Sequence, residues 1–234
     1  MKSIQAHKYY YLRSGGGRYL LDVSKRLEEQ GHEIIPFAMV HQNNLPTPYA
    51  RFFVSQVETE RTRFDWQGLR TFGRMLYSFE AKKKMKALIK EVHPDLCHVH
   101  NLYGQISPSI LDTLHEEKIP VVMTVHDHHL VSPAYNVWAE GCGPQEVSLG
   151  IMRATFSRFH KDSLAASFAQ VLAFRLHQML GIYERNVDVF LCPSAYMSRR
   201  LITAGFPPQK VHVLHNPVDT EVIQPSYEHR GYFL

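Results

Sequence analysis

The feature that most constrains the fold of this 234-residue chain is a regular alternation of short β-rich runs with helical stretches. Apolar residues recur at helical spacing in one kind of segment and form short continuous runs in the other. The pattern predicts strands at 3–7, 33–40, 95–100, 120–125, 187–192 and 211–214, and helices at 16–30, 69–93, 106–118, 164–183 and 196–204. Short connections favour parallel pairing through right-handed crossovers. We therefore predict an α/β fold with a doubly wound, mostly parallel, Rossmann-like sheet.

Three polar segments follow predicted elements at the end of the sheet where ligands bind. They are Gly15–Gly17, His126–His129 and His215–Asn216. In a doubly wound sheet, the carboxyl ends of the strands border the crevice that receives the ligand. Their shared placement is a stronger indication of a site than any one segment alone.

The triple glycine Gly15, Gly16 and Gly17 lies between the first predicted strand and the first helix. Backbone N–H groups there come close to an anion, with the helix dipole behind them. The segment lacks the spacing of a dinucleotide site and the Gly-Lys-Ser/Thr ending of a nucleotide-triphosphate loop. A tight turn that only requires positive φ is the alternative, and both interpretations stay open. We expect positive φ at Gly16, so that a β-branched residue would disturb the loop.

His126 comes directly after a hydrophobic strand, where a neutral imidazole both donates and accepts hydrogen bonds. We predict that His126 is the catalytic contact to the ligand. Asp127 is adjacent to it, but consecutive strand residues point to opposite faces. His98, His100, His126 and His128 also allow a metal-dependent hydrolase, because H-x-H on a strand places both rings on one face. Their spacing matches no metallohydrolase motif, so we predict no metal and keep the hydrolase as an alternative.

The number of cysteines and the absence of a signal peptide or a long apolar run favour a reducing compartment. The three cysteines are odd in number and widely spaced. The N-terminus lacks the apolar core of a signal peptide, and no apolar run approaches the length of a membrane span. We therefore expect a cytoplasmic protein with free thiols. Cys192 lies in an apolar strand and is expected to be buried and inert.

Basic residues are concentrated between Arg61 and Lys90, where nine Lys and Arg stand against two acidic residues. The net charge of the whole chain is only +4. Such a cluster favours an anionic partner, although a solvated helix face is the simpler explanation for any single lysine. No nucleic-acid motif accompanies it, so we expect no nucleic-acid partner. The residues expected to contact an acceptor or an anionic membrane are Lys82, Lys83, Lys84, Lys86 and Lys90.

Several segments, in this order, resemble family 4 retaining glycosyltransferases of GT-B fold. They are HKYY with GGG and RYLLDVSKRLEEQGHE, then PDLCHVHN, VMTVHDH, CPSAY and VHVLHNPVD. The resemblance extends over essentially the whole chain. It implies an enzyme of polysaccharide biosynthesis that transfers a sugar, with retention, from a nucleotide-sugar donor to a glycan or lipid-linked acceptor. It implies no cofactor, because the nucleotide-sugar is a substrate.

The resemblance also implies roles for particular residues. Gly15–Gly17 would face the donor pyrophosphate, His126 would contact the transferred sugar, and Asn216 would lie in the interdomain loop. Residues 1–227 would form the N-terminal, acceptor-side domain, and residues 228–234 would begin a second domain that holds the nucleotide-sugar. The chain alone is then expected to have little or no transferase activity.

A third interpretation is a non-catalytic module that binds anionic membrane or glycan surfaces. Many relatives use lipid-linked acceptors at the inner face of the membrane, which implies peripheral contact with it. Turnover of a sugar nucleotide favours the transferase, stoichiometric zinc favours the hydrolase, and vesicle binding without turnover favours the binding module.

Overall fold

The fold is known from a computed structural model, which describes residues 1–57, 66–133, 155–156, 158–220, 227 and 231. Within these residues, six parallel strands form one sheet in the order β2-β1-β3-β4-β5-β6. The strands are β1 (Lys2–Ala6), β2 (Glu33–Phe37), β3 (Leu96–Val99), β4 (Val121–Thr124), β5 (Val189–Cys192) and β6 (Val211–Val213). The predicted α/β, doubly wound sheet is therefore confirmed.

Helices connect the strands and cover the sheet. They are α1 (Gly15–Glu29), α2 (Trp66–Leu76), α3 (Phe79–Val92), α4 (Tyr103–Ile106), α5 (Ser109–Glu116), α6 (Leu164–Leu180), α7 (Ile182–Asn186) and α8 (Ala195–Thr203). Short 3-10 turns lie at Pro48–Phe52, His128–Leu130 and Pro208–Lys210. Because β2 and β3 flank β1 on opposite sides, the strand order reverses at β1. The crevice at this switch point is where such folds bind ligands.

The two faces of the sheet have different contents. On one face, fully buried apolar side chains such as Ile4, Val99 and Phe190 pack into the main core with α3 and α5. The other face carries the polar residues Gln5 and His98, which line a groove of about 370 Å³ together with residues of α1. Polar groups therefore lie between the sheet and α1, beneath the helix that begins with the triple glycine.

The predicted helix over 69–93 is two helices in the structure. The chain leaves helical geometry at Tyr77 and Ser78, and Ser78 Oγ accepts a hydrogen bond from Ala81 N at 3.2 Å as a new N-cap. Phe79, which the periodicity placed on the apolar face, is consequently 79% exposed. A serine side chain offers the backbone a partner outside the helix, so it favours a helix start over a helix interior.

The triple glycine forms the first turn of α1, which begins at Gly15, one residue before the predicted start at Gly16. Gly16 does not have positive φ, so the expectation of a left-handed turn there is wrong. Positive φ occurs at Gly31, just after α1 has ended. The helix begins at Gly15 because Ser14 has an extended backbone and occupies the N-cap position. Close packing favours glycine most strongly at Gly17, where an added Cβ would lie 3.0 Å from Tyr11 O.

Cys192 is fully buried, and burial raises the pKa of its thiol to about 11, as expected for an unreactive side chain. Cys142 and most of the segment 228–234 lie outside the described residues. None of the helices in the described ranges has both the length and the apolar character that crossing a bilayer requires.

Candidate functional site

Three neighbouring strands end in histidine. His7 follows β1, His100 follows β3, and His126 follows β4 after one intervening residue. His100 N donates a hydrogen bond to Ala6 O at 2.9 Å, and His7 N donates one to Phe37 O at 3.1 Å, so the ladder continues past the strand ends. Because parallel strands end at the same edge of a sheet, these imidazoles lie together at the switch point.

The rings pack against one another beneath α1. The ring centroid of His100 lies 4.2 Å from that of His98 and 5.3 Å from that of His126. Tyr19 of α1 packs edge-on against His100 and His126, with centroid distances of 5.9 and 5.2 Å. We call His7, His98, His100 and His126 the histidine cluster.

Hydrogen bonds tie the cluster to the protein. His100 Nδ1 lies 3.0 Å from His126 Nε2, and His100 Nε2 lies 3.1 Å from Gln5 Oε1. His98 Nε2 lies 2.7 Å from Thr124 Oγ1. The ring nitrogens therefore bond to one another and to neutral side chains instead of pointing at a common centre.

The geometry does not assemble the metal site that the hydrolase interpretation needs. His128 lies apart from the other three histidines, with its ring 6.1 Å from that of Tyr196. In the described part of the chain, no group of three or more His, Cys, Asp or Glu side chains is placed to hold a metal ion. Of the four histidines on which that alternative depends, His98, His100 and His126 lie together, but His128 does not join them.

Burial keeps the histidine cluster uncharged at neutral pH. Loss of hydration lowers the pKa of His7 and His98 from 6.5 to about 4 and that of His126 to about 3. Repulsion from neighbouring His7 and His98 further disfavours the imidazolium of His126. His100 is fully buried, and its pKa lies well below 6.5 for the same reason. Neutral imidazoles offer one donor and one acceptor each, which suits contact with uncharged hydroxyl groups.

Gly16 lies directly over the cluster. A Cβ atom at this position would be 3.7 Å from His7 Nε2, 3.7 Å from His126 Cγ and 3.6 Å from Asn101 Nδ2. Ser14 makes no side-chain capping bond, so its hydroxyl does not satisfy the N–H groups of the first turn. These N–H groups lie at the positive end of α1 beside His126, a placement typical of anion sites at helix N-termini. The sequence could only place the glycine turn and His126 at the same edge of the sheet. The structure shows that they are in contact.

Asp127 faces away from His126, as the alternation along the strand predicted. Its Oδ1 accepts hydrogen bonds from Tyr103 Oη and from His129 N, both at 2.9 Å. Burial raises the pKa of Asp127, and these two bonds and the charge of Lys8 oppose that rise. Asp127 therefore organises the turn after His126 and is not its hydrogen-bond partner.

Asn216 does not join the cluster. It lies in the exposed stretch after β6, and among the described residues it makes no hydrogen bond. Its neighbours His215 and Pro217 line the groove beside α1. Farther along, Asp219 forms an ion pair of 3.3 Å with Arg26 of α1. The chain therefore runs from β6 back along α1. A role for Asn216 at the site stays a prediction.

Three of the five predicted contact lysines are already engaged. Lys82 Nζ lies 2.6 Å from Glu116 Oε1, and Lys86 Nζ lies 2.8 Å from Glu117 Oε1. Lys84 Nζ donates to the carbonyl oxygens of Arg51 and Phe53. Glu116, the last residue of α5, and Glu117, which follows it, thus offset part of the basic surplus. The others, Lys83 and Lys90, are exposed seven residues apart on α3.

Sequence reasoning missed several residues of the site. They are Gln5, His7, Tyr19 and Asn101. His7 and Asn101 occupy the first two positions after a strand, which is the signal that singled out His126. Gln5 and Tyr19 gave no such signal, since each lies within an element and meets the cluster only through packing.

Alanine substitutions at two glycines of α1 are expected to change stability in opposite directions. The difference comes from the space around an added Cβ and not from positive φ. A Cβ at Gly17 would lie 3.0 Å from Tyr11 O, whereas one at Gly15 has no atom within 4 Å. We expect Gly17→Ala to lower the free energy of unfolding by about 1–3 kcal/mol through overpacking. Gly15→Ala should raise it by about 0.5 kcal/mol, because alanine loses less backbone entropy in a helix. Urea unfolding of both variants tests this, and equal effects would contradict it.

The chain is similar in sequence to a larger bacterial protein. The uncharacterized 42.6 kDa protein in the cps region of Klebsiella pneumoniae is 23% identical over 232 residues, covering 92% of this chain and 54% of the relative. The chain therefore spans about half the length of this relative.

Solved structures share the fold at low sequence identity. UDP-N-acetylglucosamine 2-epimerase from Rickettsia bellii matches with a TM-score of 0.50 and 12% identity, covering 92% of this chain and 45% of the epimerase. HepE from Anabaena, solved in complex with UDP and glucose, also matches with a TM-score of 0.50 and 12% identity, covering 94% and 46%. These likenesses support the GT-B type of fold and again cover about half of each protein.

A family model settles the family, because its match extends over most of the chain. The model for Glycosyltransferase Family 4 matches residues 13–222, from just before the glycine turn to the stretch beyond β6. The matched range includes the glycine turn, the ends of β3 and β4, and His126. The chain belongs to Glycosyltransferase Family 4.

Proposed function

We propose that this chain is the acceptor-side half of a retaining glycosyltransferase that moves a sugar from a nucleotide-sugar to a glycan or lipid-linked acceptor. The observation that carries the proposal is the contact between the first turn of α1 and His126 at the switch point. The amide groups of the turn suit a pyrophosphate, and a neutral imidazole suits a sugar hydroxyl. One site thus offers a partner to each half of a nucleotide-sugar.

The proposed chemistry follows from charge. As the glycosidic bond to the pyrophosphate breaks, negative charge develops on the leaving phosphate and positive charge on the sugar ring. The N–H groups of Gly16 and Gly17 would stabilise the leaving group without a metal ion or other cofactor. His126 would hold the transferred sugar by a hydrogen bond.

The relatives support a nucleotide-sugar donor and a polysaccharide product. HepE was solved with UDP and glucose, and the similar Klebsiella protein is encoded in a cps region. Because the chain covers about half of each relative, we propose that residues 1–227 form one domain and that residues 228–234 lead into a second, nucleotide-binding domain.

The test compares the chain alone with the chain joined to a second domain of its family. We expect no detectable release of UDP from UDP-glucose or UDP-N-acetylglucosamine by the chain alone. Joined to the second domain, it should turn over one of them at about 1–10³ per second with a suitable acceptor. Turnover by the isolated chain would contradict the two-domain proposal, and zinc-dependent hydrolysis would favour a hydrolase instead.

Peripheral contact with an anionic membrane is proposed for the exposed side of α3. Lys83 and Lys90 lie on the same face two turns apart, in the half proposed to hold the acceptor. Each basic residue near an anionic bilayer contributes about 1 kcal/mol, so K83A/K90A should weaken vesicle binding by about 30-fold. Co-sedimentation with phosphatidylglycerol vesicles measures this at low salt. The control K25A removes a lysine of α1 and should bind as the wild type does; equal binding to neutral vesicles would exclude the proposal.

A further inference from the structure

We propose that His100 and Gln5 are positioning residues that hold His126 as its Nε2–H tautomer, so that Nδ1 presents a lone pair to a sugar hydroxyl. The inference rests on the proposed contact between His126 and the transferred sugar. It adds two buried residues to the site and states the chemical class of the group that His126 meets: a hydroxyl donor.

The direction of the hydrogen-bond chain follows from the orientation of the Gln5 amide. Gln5 Oε1 lies 3.1 Å from His100 Nε2, and Gln5 Nε2 donates to Ser3 Oγ at 3.2 Å. An amide oxygen only accepts hydrogen bonds, so His100 Nε2 carries the proton.

The same logic passes through His100 to His126. A neutral imidazole has one N–H, so His100 Nδ1 holds a lone pair and accepts from His126 Nε2 at 3.0 Å. His126 Nε2 is therefore protonated, and its Nδ1 is not. The hydrogen bond from His126 Nε2 to His100 thus leaves Nδ1 of His126 as the nitrogen that meets the ligand.

Burial keeps the chain of bonds in this one state. Gln5 is 1% exposed and His100 is fully buried, so water does not replace either partner. Burial also lowers the pKa of His100 well below 6.5 and that of His126 to about 3, so neither ring gains a second proton at neutral pH.

His7 presents a second lone pair to the same place. Its Nδ1 lies 2.7 Å from Tyr9 O, which only accepts, and 3.2 Å from Tyr9 N, which only donates; the shorter contact favours the Nδ1–H form of His7. Among the described residues, Nε2 of His7 is buried without a hydrogen-bond partner, and it lies 3.7 Å from the Cβ position of Gly16. The Cγ of His126, to which Nδ1 is bonded, lies at the same distance from that position.

The imidazoles beneath α1 and the N–H groups of its first turn therefore suit different parts of the ligand. Imidazole lone pairs of His7 and His126 accept from hydroxyl protons, whereas the N–H groups of the glycine turn donate to phosphate oxygens. A carboxylate in place of the hydroxyl would face two lone pairs and find no proton donor in these rings. The site thus favours an uncharged sugar at this point.

Long-range ¹H–¹⁵N NMR of the chain with ¹⁵N-labelled histidine tests the proposal, because it distinguishes the two neutral tautomers. At pH 7.5 we expect His126 as the Nε2–H form and His7 as the Nδ1–H form. His126→Gln assigns the signals of His126. If wild-type His126 is the Nδ1–H form, the proposal is wrong; the tautomer itself is read from the wild-type chain, and the variant serves only for assignment.

Two nearly isosteric variants separate positioning from general packing. Gln5→Met removes the acceptor for His100 Nε2, so His126 should lose its single Nε2–H signature and show the Nδ1–H form or an average. Thr124→Val removes the partner of His98 but leaves the chain from Gln5 to His126, so His126 should keep its wild-type signature. An unchanged His126 in Gln5→Met would overturn the proposal.

These outcomes are independent of the proposed function. The tautomer of His126 is measured without substrate, so a negative result leaves the glycosyl-transfer proposal to the turnover assay. An inactive two-domain protein would leave the tautomer measurement equally valid.

Discussion

Lowering the pH from 7.5 to 5 is expected to unfold this protein. His7, His98, His100 and His129 are buried and His126 is half-buried. Burial lowers the pKa of each, to about 4 for His7 and His98, to about 3 for His126 and His129, and well below 6.5 for His100. Below pH 6.5 the unfolded chain binds protons at these residues, and the folded chain does not. Stability is therefore complete above pH 6.5 and is lost progressively as the pH falls toward 4.

The size of this effect follows from linkage. Each such histidine removes about 1.4 kcal/mol of stability per pH unit. Five of them would remove a typical total stability of about 5–15 kcal/mol within about two pH units. Urea unfolding followed by circular dichroism at pH 7.5, 6.5 and 5.5 measures the slope.

Two single variants serve as controls for the acid effect. His98→Gln keeps a polar group beside Thr124 and should reduce the slope by about 1.4 kcal/mol per pH unit. His115→Gln changes an exposed histidine of α5 and should leave the slope unaltered. A free energy of unfolding that stays constant from pH 7.5 to 5 would contradict the buried, neutral state of the cluster.

His126→Ala is expected to lower kcat of the two-domain enzyme by about 10²–10³-fold, because one hydrogen bond to the transition state is lost. The loss of stability should be smaller, about 1–3 kcal/mol, since the variant leaves His100 Nδ1 without its donor. Steady-state kinetics with the active UDP-sugar and urea unfolding of the same preparation measure both effects.

The matched control for His126→Ala comes from the same turn. His128 lies apart from the cluster, beside Tyr196, and His128→Ala should keep kcat within about twofold of the wild type. If His126→Ala has normal kinetics, or unfolds the protein, His126 is a structural residue and the proposed contact with the sugar is absent.

Local periodicity was enough to predict the strands and most helices, because each repeats its apolar residues at a spacing that only one secondary structure can bury. All six predicted strands are present, with ends shifted by a few residues. One exception is the helix break at Tyr77 and Ser78, where a serine cap interrupts a helical apolar pattern. One continuous helix and two helices separated at Ser78 both fit that pattern, so the sequence alone did not distinguish them. Another exception is Gly181, whose left-handed backbone divides the predicted helix over 164–183 into α6 and α7.

Part of the site was also readable from the sequence. His126 was singled out because it directly follows a buried strand, and the structure places it at the predicted edge. The triple glycine was recognised as the start of a helix, but its conformation was not: the expected positive φ at Gly16 gave way to helical backbone that packs on the cluster. Spacing along a chain does not report such close approach between segments far apart in sequence.

The sequence by itself determined the α/β fold, the edge of the sheet that carries the candidate site and the one histidine at the end of β4. Only the tertiary structure decided that β1, β3 and β4 are neighbours, and hence that Gln5, His100 and His126 form one chain of hydrogen bonds. Strand order follows from how the helices pack on the two faces, which depends on the whole core. The low pKa of each histidine has the same origin, because burial is a property of the assembled fold and not of any segment.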